Sequence, residues 1–197
     1  MIDRAYAWPL VKPTNNSWAY LPGFFTDAEC DQIIAYGCSQ PRLAANLGQD
    51  RAQNTRIRQN HVCFFSAQES DCAWIFERIA HGVHSINQQF WRFDLGIIEC
   101  LQFTIYDTPG DFYAAHQDMG YQSLEQRKLS VSVQLSDPAV YTGSELRLHS
   151  RGTEFVSTVR DRGSMIAFPS YAVHEVTPLL SGTRYSLVSW IVGPPYK

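Results

Sequence analysis

The alternation of apolar and polar positions divides the chain into two parts near residue 97. Before it, the pattern predicts two helices. The first begins at Thr26, and Glu29 three residues later completes a capping-box pattern. The second begins near Ser70, and its apolar residues recur at steps of three and four, which places them on one helical face. These residues are Phe76, Ile79, Val83, Ile86 and Phe90. Between the helices, residues 56–65 have the composition of a strand.

After residue 97 the apolar residues recur at every second position, which is typical of strands. Turn sequences containing Gly, Pro or Asp separate the predicted strands, which are residues 99–106, 128–136, 145–149, 164–168 and 184–192. Many short strands in succession predict an all-β sandwich or barrel, with the earlier helices packed outside one sheet. We expect one domain over residues 1–197, in which 1–96 form a helical flank with outer strands and 97–195 form the β core.

The two faces of the predicted strands differ in polarity. In the strand 99–106, Gln102, Thr104 and Tyr106 share one face, and apolar residues occupy the other. The strand 128–136 repeats this arrangement, with Ser130, Ser132 and Gln134 on its polar face. A simple strand would turn this face to water, whereas a barrel that holds a polar ligand would turn it inward. The pattern alone leaves both arrangements open.

Charge and composition narrow the possible partners. The net charge of −3 gives no general attraction to nucleic acid or to an anionic membrane. No apolar run approaches the roughly 20 residues that span a bilayer, so a cytoplasmic protein is the simplest interpretation. The five cysteines are odd in number and contain no CxxC pair, and we interpret all of them as reduced structural residues.

His116 and Asp118 are the first candidate metal ligands. Residues two positions apart on an extended segment point the same way, so these two side chains can hold one ion. With His174 they form a set of two histidines and one carboxylate, which leaves open positions on an octahedral metal. The His-x-Asp motif is short and arises often by chance, and on this motif alone a structural role is the better interpretation.

Arg184 changes that balance. It follows His174 by ten residues and shares a strand face with Ser186. A buried arginine at this position needs an anionic partner, and the carboxylate of a cosubstrate would bind it in a bidentate manner. The alternative is an ion pair with one of the 19 acidic residues of the chain.

Residues 87–195 resemble the Fe(II)/2-oxoglutarate oxygenases, in particular the prolyl-4-hydroxylase-like branch. The resemblance is carried by LQFTIYDTPGDFYAAHQD, by RKLSVSVQLSDPAVYTGSEL and by the closing segment GSMIAFPSYAVHEVTPLLSGTRYSLVSWIVGPP. Two departures stand out. A glycine pair of the family's "GGEL" turn is Gly143-Ser144 here, and Glu175 follows the distal histidine where relatives often have a basic residue. Neither departure affects a candidate ligand.

The resemblance implies a mostly β fold of the α+β type, with a double-stranded β-helix (a jelly-roll, cupin-like core) and the N-terminal helices packed on one sheet. It implies that Fe(II), 2-oxoglutarate and O2 are used, with ascorbate as a candidate reductant. Arg184 would bind the distal carboxylate of 2-oxoglutarate, together with Tyr106, Gln134 and Ser186. Gln102, Tyr113 and Trp190 would line the substrate side. For Tyr106, Tyr113 and Trp190, an ordinary core role is an equally good interpretation. Arg56 and Arg58 could reach the mouth of the site, but we expect them to be solvated surface residues.

The implied function is a dioxygenase that hydroxylates an unactivated C–H bond, with peptidyl or protein proline as the leading substrate by resemblance. A free amino acid or another small metabolite is the alternative. The acidic balance argues against nucleic acid, and oligomeric state is unreadable. Two other functions compete with the hydroxylase. One is a zinc hydrolase, which would need Glu175 as a base, although a strand turns that residue away from His174. The other is a non-catalytic module that binds iron and 2-oxoglutarate as a sensor.

Overall fold

The structure is a computed structural model that describes residues 17–45, 56–119, 126–149 and 154–195. Two α-helices lie in the first half, α1 (Asp27–Ser39) and α2 (Ser70–Phe90). The predicted capping box is present. The Thr26 hydroxyl accepts a hydrogen bond from the Glu29 backbone N–H at 3.2 Å, and the Glu29 carboxylate accepts from the Thr26 N–H at 2.8 Å. Among the described residues, no helix has the length and apolar character needed to cross a membrane.

The described part of the chain also contains fourteen strands. They are β1 (Ala19–Leu21), β2 (Leu43–Ala44), β3 (Arg58–Gln59), β4 (His61–Phe65), β5 (Ile97–Tyr106), β6 (Phe112–His116), β7 (Gln126–Gln134), β8 (Tyr141–Gly143), β9 (Leu146–His149), β10 (Phe155–Ser157), β11 (Met165–Pro169), β12 (His174–Val176), β13 (Leu179–Gly182) and β14 (Arg184–Gly193). The five predicted strands of the second half correspond to β5, β7, β9, β11 and β14, each within two residues of its expected ends.

The strands form a large sheet, a small sheet and a two-stranded ribbon. The large sheet has seven strands in the order β1-β11-β7-β14-β5-β4-β2, and the small sheet has five in the order β10-β9-β12-β6-β3. Strands β13 and β8 form the ribbon. Neighbouring strands are antiparallel, and both main sheets combine strands distant in sequence, as expected for a double-stranded β-helix. The predicted fold class is confirmed.

Two apolar clusters cover opposite faces of the large sheet. The outer cluster joins α1 and α2 to the outward residues of β5 and β7, among them Ile33, Ile79, Leu101, Phe103, Val131 and Val133. The inner cluster lies toward the small sheet and includes Tyr106, Leu146, Leu148, Ile166, Phe168 and Val176. The helices therefore cover the apolar face of the strands, and the polar face is turned inward. This settles the choice that the pattern left open.

The predicted strand 56–65 is wrong in one respect, because it is two strands in different sheets. Strand β3 pairs with β6 in the small sheet, whereas β4 pairs with β5 in the large sheet. The chain crosses between the sheets at Asn60, which is buried and whose carbonyl accepts a hydrogen bond from the Ala45 N–H at 3.1 Å. A local pattern of residues cannot show such a change of partner, since the composition of both halves is that of a strand.

The cysteines are free thiols, and three of them fit the structural role expected for all five. Cys30, Cys63 and Cys72 are fully buried in the outer cluster. Burial raises the pKa of Cys30 and that of Cys63 to about 11, which keeps both thiols protonated and unreactive. Cys38 is exposed and Cys100 is half-buried, so the expected core role does not extend to them.

The turn between β8 and β9 uses left-handed backbone at two successive residues. Gly143 has φ of 73°, and a Cβ there would lie 2.2 Å from the Pro178 carbonyl oxygen, so only glycine fits. Ser144 has φ of 48° although it carries a side chain. It is fully buried, and its hydroxyl has no hydrogen-bond partner. The serine that replaces the second glycine of the family turn is therefore strained and polar without compensation.

We expect Ser144→Gly to be more stable than Ser144→Ala by about 1 kcal/mol, because both variants lose the hydroxyl and only alanine keeps the cost of the left-handed backbone. Urea unfolding of the two variants, followed by circular dichroism, measures this difference. Equal stabilities would show that the positive φ of Ser144 is not a source of strain.

Candidate metal centre

Strands β6 and β12 pair across the small sheet and bring His116 opposite His174. Asp118 follows β6 two residues after His116. One ligand atom from each of His116, Asp118 and His174 lies within 4.8 Å of the other two. The Nε2 atoms of the two histidines each lie 3.4 Å from an oxygen of the Asp118 carboxylate. The three residues selected from the sequence therefore converge on one point.

The backbone fixes the tautomer of both imidazoles. His116 Nδ1 lies 2.8 Å from the Ala114 carbonyl oxygen, and His174 Nδ1 lies 3.0 Å from that of Ala172. Because a carbonyl only accepts, each Nδ1 carries a proton, which leaves each Nε2 as the atom available to a metal ion. Burial lowers the pKa of His174, which favours the neutral imidazole that binds metals.

Asp118 is held as a carboxylate by its neighbours. Burial alone would raise its pKa, but the positive charge that His174 and His116 carry when protonated, together with the Ser130 hydroxyl, holds that pKa well below its usual range. Ser130 donates to Asp118 Oδ2 at 2.7 Å, and its oxygen lies 3.0 Å from the Ser170 hydroxyl. The Asp118 N–H also donates to the Ser170 carbonyl at 3.0 Å. These bonds fix the orientation of the carboxylate before any ion binds.

The donor set fits Fe(II). Two neutral imidazoles and one carboxylate on one side of a site, with other positions open, are the ligands of non-haem Fe(II) oxygenases. A zinc hydrolase would need a general base beside the metal, and Glu175 does not supply it. Glu175 is directed away and forms an ion pair at 3.2 Å with Arg147, its partner across β9 and β12.

A cavity opens beside the three residues, between the large and small sheets. It contains about 470 Å³ of space free of protein atoms, part of it open to solvent. The large sheet contributes Gln102, Thr104, Tyr106, Ser132, Arg184, Ser186 and Trp190, and the small sheet contributes Arg58, Tyr113 and Leu146 among others.

Arg184 is fully buried at the wall of this cavity, and no acid neutralises it within the described residues. Its Nε and Nη2 donate to the Gln134 side-chain oxygen at 3.3 and 2.9 Å, and its guanidinium carbon lies 5.4 Å from the centre of the Tyr106 ring. Its Nη1 is buried without a hydrogen-bond partner. The expected alternative, an ion pair with an acidic residue, is not what the described residues form. A buried cation with an unused donor indicates a missing anion.

The other residues expected at the cosubstrate occupy two kinds of position. Tyr106 and Ser186 line the cavity next to Arg184. Gln134 does not line it, and instead holds the guanidinium in place through its side-chain oxygen. These contacts support a role for Gln134 in orienting Arg184, and the direct contact with a carboxylate that the resemblance implied stays a prediction.

The residues expected on the substrate side, Gln102, Tyr113 and Trp190, all line this cavity. The Tyr113 ring stacks on the His116 ring at 3.5 Å between centroids and 18° between planes. Burial raises the pKa of Tyr113 to about 12, so its hydroxyl is neutral. Trp190 lies under the Arg127 guanidinium at 4.2 Å, and its Nε1 is buried without a partner. Gln102 donates to the Thr104 hydroxyl at 3.0 Å.

The expectation for Arg58 is wrong, because this residue is 7% exposed and lines the cavity. Its neighbour Arg56 is exposed, as expected. The alternation of residues 56–60 contained a signal, since Arg58 and Asn60 share a face, but nothing in the sequence showed that this face meets Tyr113 on β6. Ser130 and Ser170 were also missed as supports of Asp118. Ser130 lies on the polar face that was recognised, whereas the contact with Ser170 depends on the tertiary fold.

Comparison with known proteins agrees with this geometry. Residues 101–192 match the family described as the 2OG-Fe(II) oxygenase superfamily. The chain is 35% identical over 82 residues to a PKHD-type hydroxylase of Synechococcus sp. (strain CC9605), which covers 42% of this chain and 37% of the relative. It is 40% identical over 87 residues to a PKHD-type hydroxylase of Hyphomonas neptunium, with 42% and 38% covered. The chain thus spans less than two fifths of the length of these relatives.

Solved structures share the fold over almost the whole chain. A Pseudomonas putida prolyl-4-hydroxylase has a TM-score of 0.71 at 20% identity and covers 91% of this chain and 94% of its own. A Trichoplax adhaerens prolyl hydroxylase, in complex with a hypoxia inducible factor oxygen degradation domain peptide fragment, has a TM-score of 0.72 at 18% identity, with 90% and 84% covered. Residues 101–192 thus match the 2OG-Fe(II) oxygenase superfamily, and the chain as a whole shares the fold of solved prolyl hydroxylases.

Proposed function

We propose that this protein is an Fe(II)- and 2-oxoglutarate-dependent dioxygenase that hydroxylates an unactivated C–H bond, with peptidyl or protein proline as its substrate. One observation carries the proposal. The three candidate metal ligands and a buried arginine without an anionic partner line the same cavity. A metal site alone would fit many functions, but a metal site beside an unpaired guanidinium fits a ligand that binds the metal and carries a carboxylate farther away.

In this proposal His116, Asp118 and His174 hold the iron, and Arg184 binds the distal carboxylate of 2-oxoglutarate. Tyr106 and Ser186 contact the cosubstrate, and Gln134 keeps the guanidinium in position. When bound, iron and 2-oxoglutarate supply the oxidising chemistry, in which O2 is consumed, 2-oxoglutarate becomes succinate and CO2, and one oxygen atom enters the substrate. The protein orients the ligands and fixes the tautomer of both imidazoles. Ascorbate is the expected reductant.

The proline substrate is supported by the named relatives, which are PKHD-type hydroxylases and prolyl hydroxylases, one of them bound to a peptide fragment. The cavity adds a physical argument. Tyr113 and Trp190 give it aromatic walls against which a pyrrolidine ring can pack, and Gln102 adds a polar group. A free amino acid or other small metabolite would use the same walls. We further propose that residues 1–197 act as one oxygenase domain, with 97–195 as its catalytic core, and that the protein is cytoplasmic.

A single assay distinguishes the proposed oxygenase from a non-catalytic sensor. The Fe(II)-loaded protein is expected to release succinate from 2-oxoglutarate in the presence of O2, and a proline-containing peptide is expected to raise that rate and to gain one oxygen atom by mass spectrometry. A protein that binds iron and 2-oxoglutarate without releasing succinate would be a sensor.

Replacing His116, Asp118 or His174 with alanine is expected to abolish iron binding and turnover, since each replacement removes one of three ligands. Iron titration without oxygen and succinate release measure the two losses.

Ser130→Ala is expected to keep the site but to weaken iron binding by roughly 10- to 100-fold, because the Asp118 carboxylate loses the hydrogen bond that orients it. Ser132→Ala is the matched control, two residues along the same strand face. Iron affinity is measured by titration without oxygen. Equal iron affinities of Ser130→Ala and Ser132→Ala would show that Ser130 does not support the metal site.

Arg184→Met is expected to leave the iron site intact and to weaken 2-oxoglutarate binding by about 2–5 kcal/mol, or roughly 30- to 5,000-fold. Because the arginine is a buried charge without an anion, its removal from the unliganded protein is expected to change the melting temperature little. In the unaltered protein 2-oxoglutarate should raise that temperature, and in the variant it should not. Arg184→Lys should recover only part of the affinity, since an ammonium lacks the planar fork. Unchanged affinity in Arg184→Met would place the cosubstrate elsewhere.

Replacing Tyr113 or Trp190 with alanine is expected to damage substrate oxidation more than the uncoupled decay of 2-oxoglutarate, because both rings face the substrate side of the cavity. The assay compares hydroxylated product with succinate for each variant. Tyr185→Ala is the control, since this ring packs on Phe103 in the outer cluster and its loss should lower stability without changing coupling. If the Tyr113 and Trp190 variants only melt earlier, with the product ratio unchanged, both residues are ordinary core aromatics.

A further inference from the structure

A second arginine borders the cavity on the wall opposite Arg184. Arg58 lies on β3 in the small sheet, whereas Arg184 lies on β14 in the large sheet. Arg58 is only 7% exposed. A charged guanidinium at this depth is costly unless an anion or several hydrogen bonds compensate it.

The neighbours of Arg58 are neutral. Its Nε donates to the Asn60 side-chain oxygen at 2.9 Å, and its guanidinium carbon lies 4.5 Å from the centre of the Tyr113 ring. Within the described residues Arg58 forms no ion pair, and its two terminal amino groups make no hydrogen bond. These two groups form the part of the guanidinium fork that binds a carboxylate in a bidentate manner.

The guanidinium is also held in place beside the metal centre. Arg58 is the direct cross-strand partner of Tyr113, whose ring stacks on His116 at 3.5 Å. The guanidinium carbon therefore lies no farther from the centre of the His116 ring than the sum of these two distances, 8.0 Å. A ligand bound there would keep its neighbouring atoms close to the metal ligands. Since Asn60 and Tyr113 hold the side chain from two sides, little rotamer freedom is lost when it binds.

From these contacts we propose that Arg58 binds a carboxylate of the substrate and makes this oxygenase selective for substrates that carry a carboxylate on the oxidised residue or on the residue next to it. This inference rests on the proposed function, because it names a second recognition point on the same substrate. A single negative charge balances the single unpaired guanidinium, whereas a neutral carbonyl would accept hydrogen bonds and leave the charge buried. The carboxylate can come from an acidic side chain next to the proline or from the α-carboxylate of a terminal proline.

Two matched pairs of probes distinguish these sources. The first pair is N-acetylproline and N-acetylprolinamide. The second is a blocked peptide with glutamate next to proline and the same peptide with glutamine. Their affinities are measured on Fe(II)-loaded protein saturated with 2-oxoglutarate in the absence of oxygen, for the unaltered protein, Arg58→Met and Arg58→Lys. Arg56→Met is the control, since it removes the same charge from an exposed position two residues away.

We expect the unaltered protein and Arg56→Met to bind the acidic member of one pair roughly 10- to 100-fold more tightly than its neutral partner, and that pair identifies the source. Arg58→Met should lose this preference and keep its affinity for 2-oxoglutarate, and Arg58→Lys should recover part of it. Equal or undetectable affinities for all four probes would overturn the anion site, and so would a preference that persists in Arg58→Met.

The succinate assay tests the proposed function separately. A protein that prefers the acidic probes but releases no succinate from 2-oxoglutarate retains the anion site and is not an oxygenase. A protein that releases succinate but shows no preference for acidic probes is an oxygenase that recognises its substrate in another way.

Discussion

Because successive side chains of a strand point to opposite faces, a sheet covered on both sides must bury its polar positions as well as its apolar ones. The large sheet has helices on one side and the small sheet on the other. Its apolar positions, such as Leu101 and Phe103, face the helices. Its polar positions face the cavity, where each polar group needs a partner. Gln102 donates to Thr104, and Ser130 donates to Asp118. The donors left over on this face, Arg184 Nη1 and Trp190 Nε1, adjoin the cavity and mark where ligands belong.

The features that depend on local pattern could be predicted from the sequence. The capping box at Thr26 and the period of two in β5, β7 and β14 involve residues close together in the chain, and the structure has them where they were expected. The convergence of His116 with His174 could also be anticipated, but only through the resemblance to a family. Spacing along a chain does not say which strands pair.

The features that depend on strand pairing could not be predicted. The sequence predicts Arg58 to be a surface residue, because only the pairing of β3 with β6 shows that its side chain is buried. The break at Asn60 leaves no trace in the sequence, because both halves of the segment favour a strand. The hydrogen bond from Arg184 to Gln134 was likewise not anticipated, because the face of a residue on one strand does not show which side chain it meets on the next strand. Strands of two or three residues, such as β2 and β12, are too short to show a period.

The distribution of charge in the cavity follows from the same burial. Asp118 is the acid among the metal ligands, and two arginines lie on opposite walls without acidic partners in the described chain. Bound Fe(II) would add positive charge to this group. The cavity would then hold a strong excess of positive charge, which two anionic ligands could balance, one at each wall. Such a site is costly when empty and becomes favourable only when both ligands are present, so charge alone would couple the binding of substrate to that of cosubstrate.

The segment that matches the 2OG-Fe(II) oxygenase superfamily includes the cavity wall with Arg184 but not the strand that carries Arg58. Every residue proposed to hold iron or 2-oxoglutarate lies within the matched residues 101–192, and so do Gln102, Tyr113 and Trp190. Arg58 and Asn60 lie outside that segment, on the chain that crosses from the small sheet to the large one. The match therefore describes the part of the site that performs the oxidation and says nothing of the wall that carries Arg58. A fold of this type persists at 20% identity or less among the solved structures, so the fold by itself does not require an arginine at position 58. Selection of the substrate is thus physically separable from the chemistry, and the N-terminal half of the chain is where this protein can differ from its relatives.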